Sequence, residues 1–286
     1  MNRSLRHARG STPLDRCLVM GIVNRTPDSF YDGGRMDLGA ATEHALRLVD
    51  QGAELLDLGA VKAGPGEAVD ESTERGRLLP LVEKLADVLV PLSVETSRAS
   101  VARAAIGAGA AIVNDVTGFS DPDMASVCAE SGAAVILMHH GGQIRGRPRH
   151  PRYEDVVAAV KQGWVALAGA AAAHGLGEDQ IVVDPGLDFG KTTYHSLELI
   201  RRFDELVDVR WPVVIAVSRK DVVGESLGLP PEERLEGTLA LTTLAVAAGA
   251  AIVRAHDVME TVRTVQMVDL VAGRRDPATA LRGLWD

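Results

Sequence analysis

The strongest constraint on this chain is an alternation. Short, nearly continuous apolar runs recur eight times, at Cys17–Asn24, Glu54–Gly59, Leu92–Thr96, Ile112–Val116, Ala133–His139, Ile181–Asp184, Val213–Val217 and Ile252–Ala255. Each is followed by a longer stretch of helical pattern, for example Ser97–Gly109, Tyr153–His174, Pro231–Gly249 and Val258–Ala272. Strands apolar on both faces belong to a parallel sheet covered on both sides, and the intervening helices are the cover. Eight such units in 286 residues predict one α/β domain, a TIM (β/α)8 barrel spanning residues 17–286. An open doubly wound sheet is the competing arrangement, but no G-x-G-x-x-G follows the first strand. Residues 1–16 carry Arg3, Arg6, Arg9 and Arg16 with no apolar run behind them. They read as a flexible N-terminal tail rather than an export signal.

Composition narrows the function. Thirty basic against 39 acidic residues give a net charge of −9, which opposes a nucleic-acid partner. Aromatic residues make up only 3%, too few for base-stacking platforms. Two cysteines, Cys17 and Cys128, cannot form a disulfide framework and read as reduced core residues. No membrane span is expected, so the chain is placed in the cytoplasm.

In a barrel of this kind the ligand site lies at the C-terminal ends of the strands. The eight runs deliver Asn24, Asp57, Glu95, Asn114-Asp115, His139-His140, Asp184, Ser218-Arg219-Lys220, and Arg254 with His256-Asp257. Around one rim these groups must satisfy either one another or a ligand. Lys220, Arg254 and His256 come from the closing strands, where barrels often hold phosphate, although a salt-bridge net with Asp257 and Asp115 would also account for them. Asn114 and Asp184 pair an amide with a carboxylate, a set suited either to a flat heterocycle with adjacent N–H donors or to an internal network. The pocket expected from the residues takes a polar heterocycle bearing a phosphate or diphosphate.

Longer motifs then carry a resemblance. Met20-Gly-Ile-Val-Asn-Arg-Thr-Pro-Asp-Ser-Phe-Tyr-Asp-Gly-Gly34, Val113-Asn-Asp115, Leu137-Met-His139, Asp184-Pro-Gly-Leu-Asp-Phe-Gly-Lys191, Ser218-Arg-Lys220 and Arg254-Ala-His-Asp-Val258 resemble, in order and spacing, the dihydropteroate synthase family. The resemblance implies a barrel that joins a pterin diphosphate to p-aminobenzoate. It implies that Asn24 helps hold Mg²⁺ and the diphosphate. Asn114 and Asp184 would read the pterin edge, with Glu95 beside them. Lys220 would reach the pterin, and Arg254 and His256 would hold the diphosphate. Lys220, Arg254 and His256 are therefore the expected catalytic set, stabilising charge on the leaving group. A homodimer through the last helices is also implied.

The departures from the family pattern are concentrated at the site. After the second strand the family reads Gly-Glu-Ser-Thr-Arg-Pro-Gly, whereas here the loop contains Lys62, Ala63 and Gly64. The third strand ends Glu95-Thr96 in place of Asp-Thr, and Arg25 replaces an apolar residue. His140 stands where Met is usual, and Asp221 follows Ser-Arg-Lys in place of Ser. Asp221 either repels the p-aminobenzoate carboxylate or serves as a helix N-cap. The chain thus resembles the divergent second dihydropteroate synthase-like proteins that accompany a normal copy in some actinobacteria. Weak or lost synthase activity is expected. A fully active synthase, a non-catalytic pterin-binding barrel and an enzyme using another acceptor are the alternatives.

Overall fold

The computed structural model describes residues 3–25, 37–61, 69–142, 151–280 and 282. A hairpin of β1 (Ser4–His7) and β2 (Gly10–Pro13) comes first. The repeating units then run β3 (Leu18–Asn24), α1 (Leu38–Asp50), β4 (Leu55–Gly59), α2 (Glu71–Lys84), β5 (Leu92–Glu95), α3 (Ala99–Gly107), β6 (Ile112–Asp115) and α4 (Met124–Ser131). They continue with β7 (Ala134–Met138), α5 (Val156–Ala173), β8 (Ile181–Asp184), α6 (Thr193–Arg201), α7 (Phe203–Val207), β9 (Val214–Ile215), α8 (Asp221–Leu227), α9 (Leu235–Ala248), β10 (Ile252–Ala255) and α10 (Val258–Val271).

The strands from β3 to β10 pair in parallel in the order β8-β7-β6-β5-β4-β3-β10-β9. A parallel bridge between Val183 and Val213 joins the two ends, with the Val183 amide donating to the Pro212 carbonyl at 2.9 Å. The eight-stranded barrel expected from the alternation is therefore present. Its seventh strand, β9, is shorter than the Val213–Val217 run, because the chain turns away before Arg219, which sits at a φ of 52°.

Side-chain alternation sorts the strands into two cores. Leu18, Met20, Leu55, Ile112, Ala134, Ile136, Val182, Val214 and Ile252 fill the barrel interior. Val19, Val23, Leu56, Leu58, Val94, Val113, Val135 and Val183 face the helices. Two residues beyond an inward apolar position, the same face carries Asp57 after Leu55, Asn114 after Ile112, Asp184 after Val182 and Arg254 after Ile252. The barrel interior is thus apolar below and polar at the mouth.

The N-terminal segment corrects the expectation of a loose tail. Leu5 and Leu14 belong to the interior cluster and cover the barrel floor, at 1% and 8% exposure. Arg6 forks onto Asp179 at 2.9 and 3.0 Å, and Arg9 Nη2 donates to the Val88 carbonyl at 2.8 Å. The arginines that suggested a solvated tail are what fasten this hairpin to the barrel.

Helix α5 also differs from expectation. It is the one described helix long and apolar enough, by length and composition, to cross a membrane, with mean hydropathy 1.4 over 18 residues. One face packs inward through Val157, Val160, Trp164 and Ala168. The Trp164 indole Nε1 donates to the carbonyl of Asp184, tying this helix to a site strand at 3.0 Å.

Candidate functional site

The centre of the mouth is Asp57, the third residue of β4 and fully buried. Its Oδ1 accepts from Ser93 Oγ at 2.6 Å. Its Oδ2 accepts from Asn114 Nδ2 at 3.0 Å and from Arg254 Nε at 2.6 Å. A buried carboxylate needs such partners, since removing one from a buried ion pair costs about 3–5 kcal/mol. Arg254, from β10, also donates through Nη2 to Glu95 Oε2 on β5 at 2.7 Å. One guanidinium therefore bridges two carboxylates across the barrel. The salt-bridge net considered as an alternative is real at Arg254, but its acids are Asp57 and Glu95 rather than Asp257 and Asp115.

Those two other acids have different work. Asp257 binds Arg219 in a two-pronged pair at 2.9 Å each, just past the ends of the last two strands. Asp115 lies one residue past Asn114 and turns out of the barrel, where it accepts from the Thr117 amide and hydroxyl and from the Phe119 amide. Thr96 is likewise directed away, its hydroxyl donating to the buried Glu74 at 2.6 Å.

Glu95 and Arg254 perturb each other. Burial pushes the Glu95 carboxyl up to about 7, with Asp57 and Asp184 acting in the same sense and Arg254 and Lys220 opposing them. These five groups therefore share one electrostatic enclosure. Lys220, the N-cap residue of α8, donates from Nζ to the Leu187 carbonyl at 3.0 Å and lies 5.1 Å from the Phe189 ring centroid. Burial lowers its pKa, while Asp184 and Asp188 pull it back up. Asp184 Oδ1 accepts from the Gly186 amide at 2.6 Å, which fixes the turn after β8. Asn114 and Asp184 thus reach the same mouth, but the Asn114 amide is directed to Asp57.

Asn24 ends β3 directly opposite Gly59 of β4. A Cβ on Gly59 would come within 2.8 Å of Asn24 Oδ1, so glycine there lets the amide oxygen lie across the neighbouring strand. The His256 amide donates to Ser218 Oγ at 3.1 Å, linking the ends of the last two units. Among the described residues no group of three or more His, Cys, Asp or Glu side chains is arranged to hold a metal.

The substituted positions resolve unevenly. Lys62, Ala63 and Gly64 lie outside the described residues. Arg25 donates from Nη1 to the backbone carbonyls of Gly76 and Arg77 in α2. His140 Nδ1 accepts from the Gly142 amide at 3.2 Å. Asp221 is not the N-cap; it is the first residue of α8 and pairs with Arg234 at 3.1 Å. The cap is supplied from another loop, by Asp188 Oδ2 accepting from the Val222 amide at 3.1 Å. Arg234 reduces the repulsion that Asp221 would exert on an incoming carboxylate, but Asp188 adds a second negative group at the same helix end.

Sequence reading missed two residues of consequence. Asp57 was noted as a strand end but left out of the site, although its spacing of two from Leu55 marks it as inward. Lys191 is 6% exposed and donates to the carbonyls of His139, Gly186 and Phe189 and to His139 Nδ1, all within 2.9–3.0 Å. It pins the loop that carries Leu187 and Phe189 beneath Lys220. Its place at the end of the Asp184–Lys191 motif was the available signal.

Comparison with known proteins agrees with this geometry. Residues 20–256 match the family model described as pterin binding enzyme. A Mycobacterium tuberculosis protein named inactive dihydropteroate synthase 2 is 48% identical over 278 residues, covering 94% of this chain and 87% of that protein. The dihydropteroate synthase of Bacillus subtilis is 40% identical over 264 residues, covering 91% and 90%. The crystal structure of the Yersinia pestis dihydropteroate synthase with a sulfonamide drug complex superposes with a TM-score of 0.90 at 36% identity, covering 95% of this chain and all of that one. This chain belongs to the pterin-binding enzyme family.

Proposed function

We propose that this protein is a dihydropteroate synthase-like barrel that binds a pterin diphosphate, or a related anion, at its mouth and forms dihydropteroate weakly or not at all. The observation that carries the reading is the strand-end cluster in which Arg254 is held by Asp57 and Glu95 while Asn114 joins the same Asp57. Asp184 would offer an acceptor to a heterocycle edge, with Asn114 beside it on Asp57 and Lys220 as the nearby cation. Arg254 and His256 supply the anion side, where fixed positive charge opposes the build-up of charge on a leaving diphosphate. Asn24 fits a Mg²⁺-diphosphate role. Mg²⁺ takes few protein ligands when phosphate oxygens and water complete its shell, and one amide oxygen at a strand end meets that need. Bound there, the metal would neutralise leaving-group charge.

Impairment follows from charge. Arg254 already bridges two carboxylates, so an incoming diphosphate competes with Glu95 for it. At the acceptor side, the family pattern sets the carboxylate of p-aminobenzoate near the residue after Ser-Arg-Lys, and here that end of α8 carries Asp221 and Asp188. A homodimer belongs to the same proposal, supported by Leu244 of α9 and Met267 and Val271 of α10, which are 56%, 57% and 79% exposed. Calorimetric titration with pterin diphosphate, with and without p-aminobenzoate, tests the reading. Saturable pterin diphosphate binding that p-aminobenzoate leaves unchanged is expected; failure to bind the pterin compound refutes it.

A further inference from the structure

We propose that Glu95 is a specificity-determining residue that withholds Arg254 from anions, so that anion binding at the mouth is an exchange in which Glu95 releases the guanidinium and takes up one proton from solvent. The inference rests on the proposed anion site and adds the rule by which that site admits its ligand.

The two carboxylates on Arg254 are not equivalent. Asp57 is fully buried and accepts from three donors on three strands, Ser93, Asn114 and Arg254. These bonds fix it in place and already pair it with Arg254. Glu95 is the second acid on the same cation and is held by Nη2 alone among the contacts described above. It is also the position that is longer by one methylene than the usual family residue.

The charges then decide what happens when an anion arrives. Arg254 and Lys220 face Asp57, Glu95 and Asp184 in this enclosure, so it already carries one negative charge in excess. Adding phosphate oxygens next to an ionised Glu95 in a poorly solvated space is unfavourable by like-charge repulsion. Protonating Glu95 removes one charge and changes the carboxyl from a competitor for Arg254 into an O–H donor. Nη2 can then turn to a phosphate oxygen. The balance is one proton from buffer onto Glu95 for each anion bound. Asp57 is committed to three donors, and Asp184 Oδ1 is committed to the Gly186 amide, which leaves Glu95 as the acid on Arg254 that can be exchanged. The rise in Glu95, to about 7, places the exchange near neutrality.

The test is calorimetry of the full chain with inorganic diphosphate, without divalent metal, at pH 6, 7 and 8. Each titration is run in two buffers of different ionisation enthalpy, on wild type and on Glu95→Gln. Comparing the two proteins cancels the titration of diphosphate itself. Wild type is expected to take up close to one more proton per diphosphate than Glu95→Gln at pH 8. Its affinity should fall, relative to the variant, by about tenfold per unit above pH 7, as one linked proton requires. Equal proton uptake and equal pH slopes in the two proteins overturn the proposal while leaving the anion site standing. Diphosphate binding to neither protein at any pH removes both. If Glu95→Gln does not fold, Glu95→Asp replaces it; the shorter acid steps back from Arg254 and should take up fewer protons, and undiminished uptake overturns the proposal.

Discussion

Arg25 covers the weak point of α2: its Nη1 lies 3.4 Å from the carbonyl of Gly76, the acceptor that Pro80 cannot serve. Proline inside a helix removes the i→i−4 donor, and the arginine replaces it from the neighbouring loop, with a second bond to Arg77 at 2.7 Å. The residue that departs from the family's apolar pattern therefore has structural work. Arg25→Val, the usual family residue, should lower stability by about 1–2 kcal/mol, as expected for two lost hydrogen bonds, one of them long. Urea unfolding measures this, and diphosphate affinity should be unchanged. Reduced affinity at full stability would assign Arg25 to the ligand instead.

Arg254 tests the anion site, and the choice of substitution matters. Arg254→Ala would leave Asp57 and Glu95 facing each other without a cation, at a cost of about 3–5 kcal/mol. Loss of binding in that variant could not be separated from loss of fold. Arg254→Lys keeps the charge and loses the two-pronged geometry. It should fold, by circular dichroism, and bind diphosphate at least about tenfold more weakly, one good charge-assisted contact being worth about 1.5–3 kcal/mol. Unchanged affinity would remove Arg254 from the site.

His139 sets an acid limit on stability. Burial first, and then Lys191, lower its pKa to about 3, so the folded protein keeps the ring neutral. Nδ1 faces the Lys191 ammonium at 3.0 Å, which places the ring proton on Nε2. An unfolded chain protonates the same histidine below its ordinary value of about 6.5. Stability should therefore decline as pH falls from about 6.5 towards 3, with up to about 2 kcal/mol lost at pH 5 through this residue. His139→Gln, which keeps an acceptor near Lys191, should flatten the slope of urea midpoints between pH 7 and 5. An identical slope would show that His139 does not set it.

The barrel was legible because its signals are local and repeated. Apolar runs and helical stretches alternate eight times, and strand ends project polar groups at a period of two. The same period separates Asn114, which faces the mouth, from Asp115, which caps its own loop. What the sequence did not disclose depends on contacts between distant segments. Asp57 becomes the centre only when Ser93, Asn114 and Arg254 converge on it. The hairpin at residues 4–13 looked like a tail because its arginines find Asp179 and the Val88 carbonyl only after folding. Asp221 was open between a cap and a repelling charge because caps are judged from adjacent residues, whereas the capping carboxylate comes from Asp188, 34 residues before the Val222 amide that it accepts from.

The central claim, that the pterin diphosphate site persists while dihydropteroate formation is weak or absent, is tested most directly by turnover of the purified protein. Pterin diphosphate, Mg²⁺ and p-aminobenzoate are supplied at saturating concentrations, and dihydropteroate is quantified directly. The occupied Arg254, with Asp221 and Asp188 on the acceptor side, predicts a rate at least about a hundredfold below the ordinary enzyme range, since loss of one preorganised donor costs about 10²–10³ in kcat. A kcat of about 1 s⁻¹ or more, within that range, would contradict the account and make the chain a working synthase.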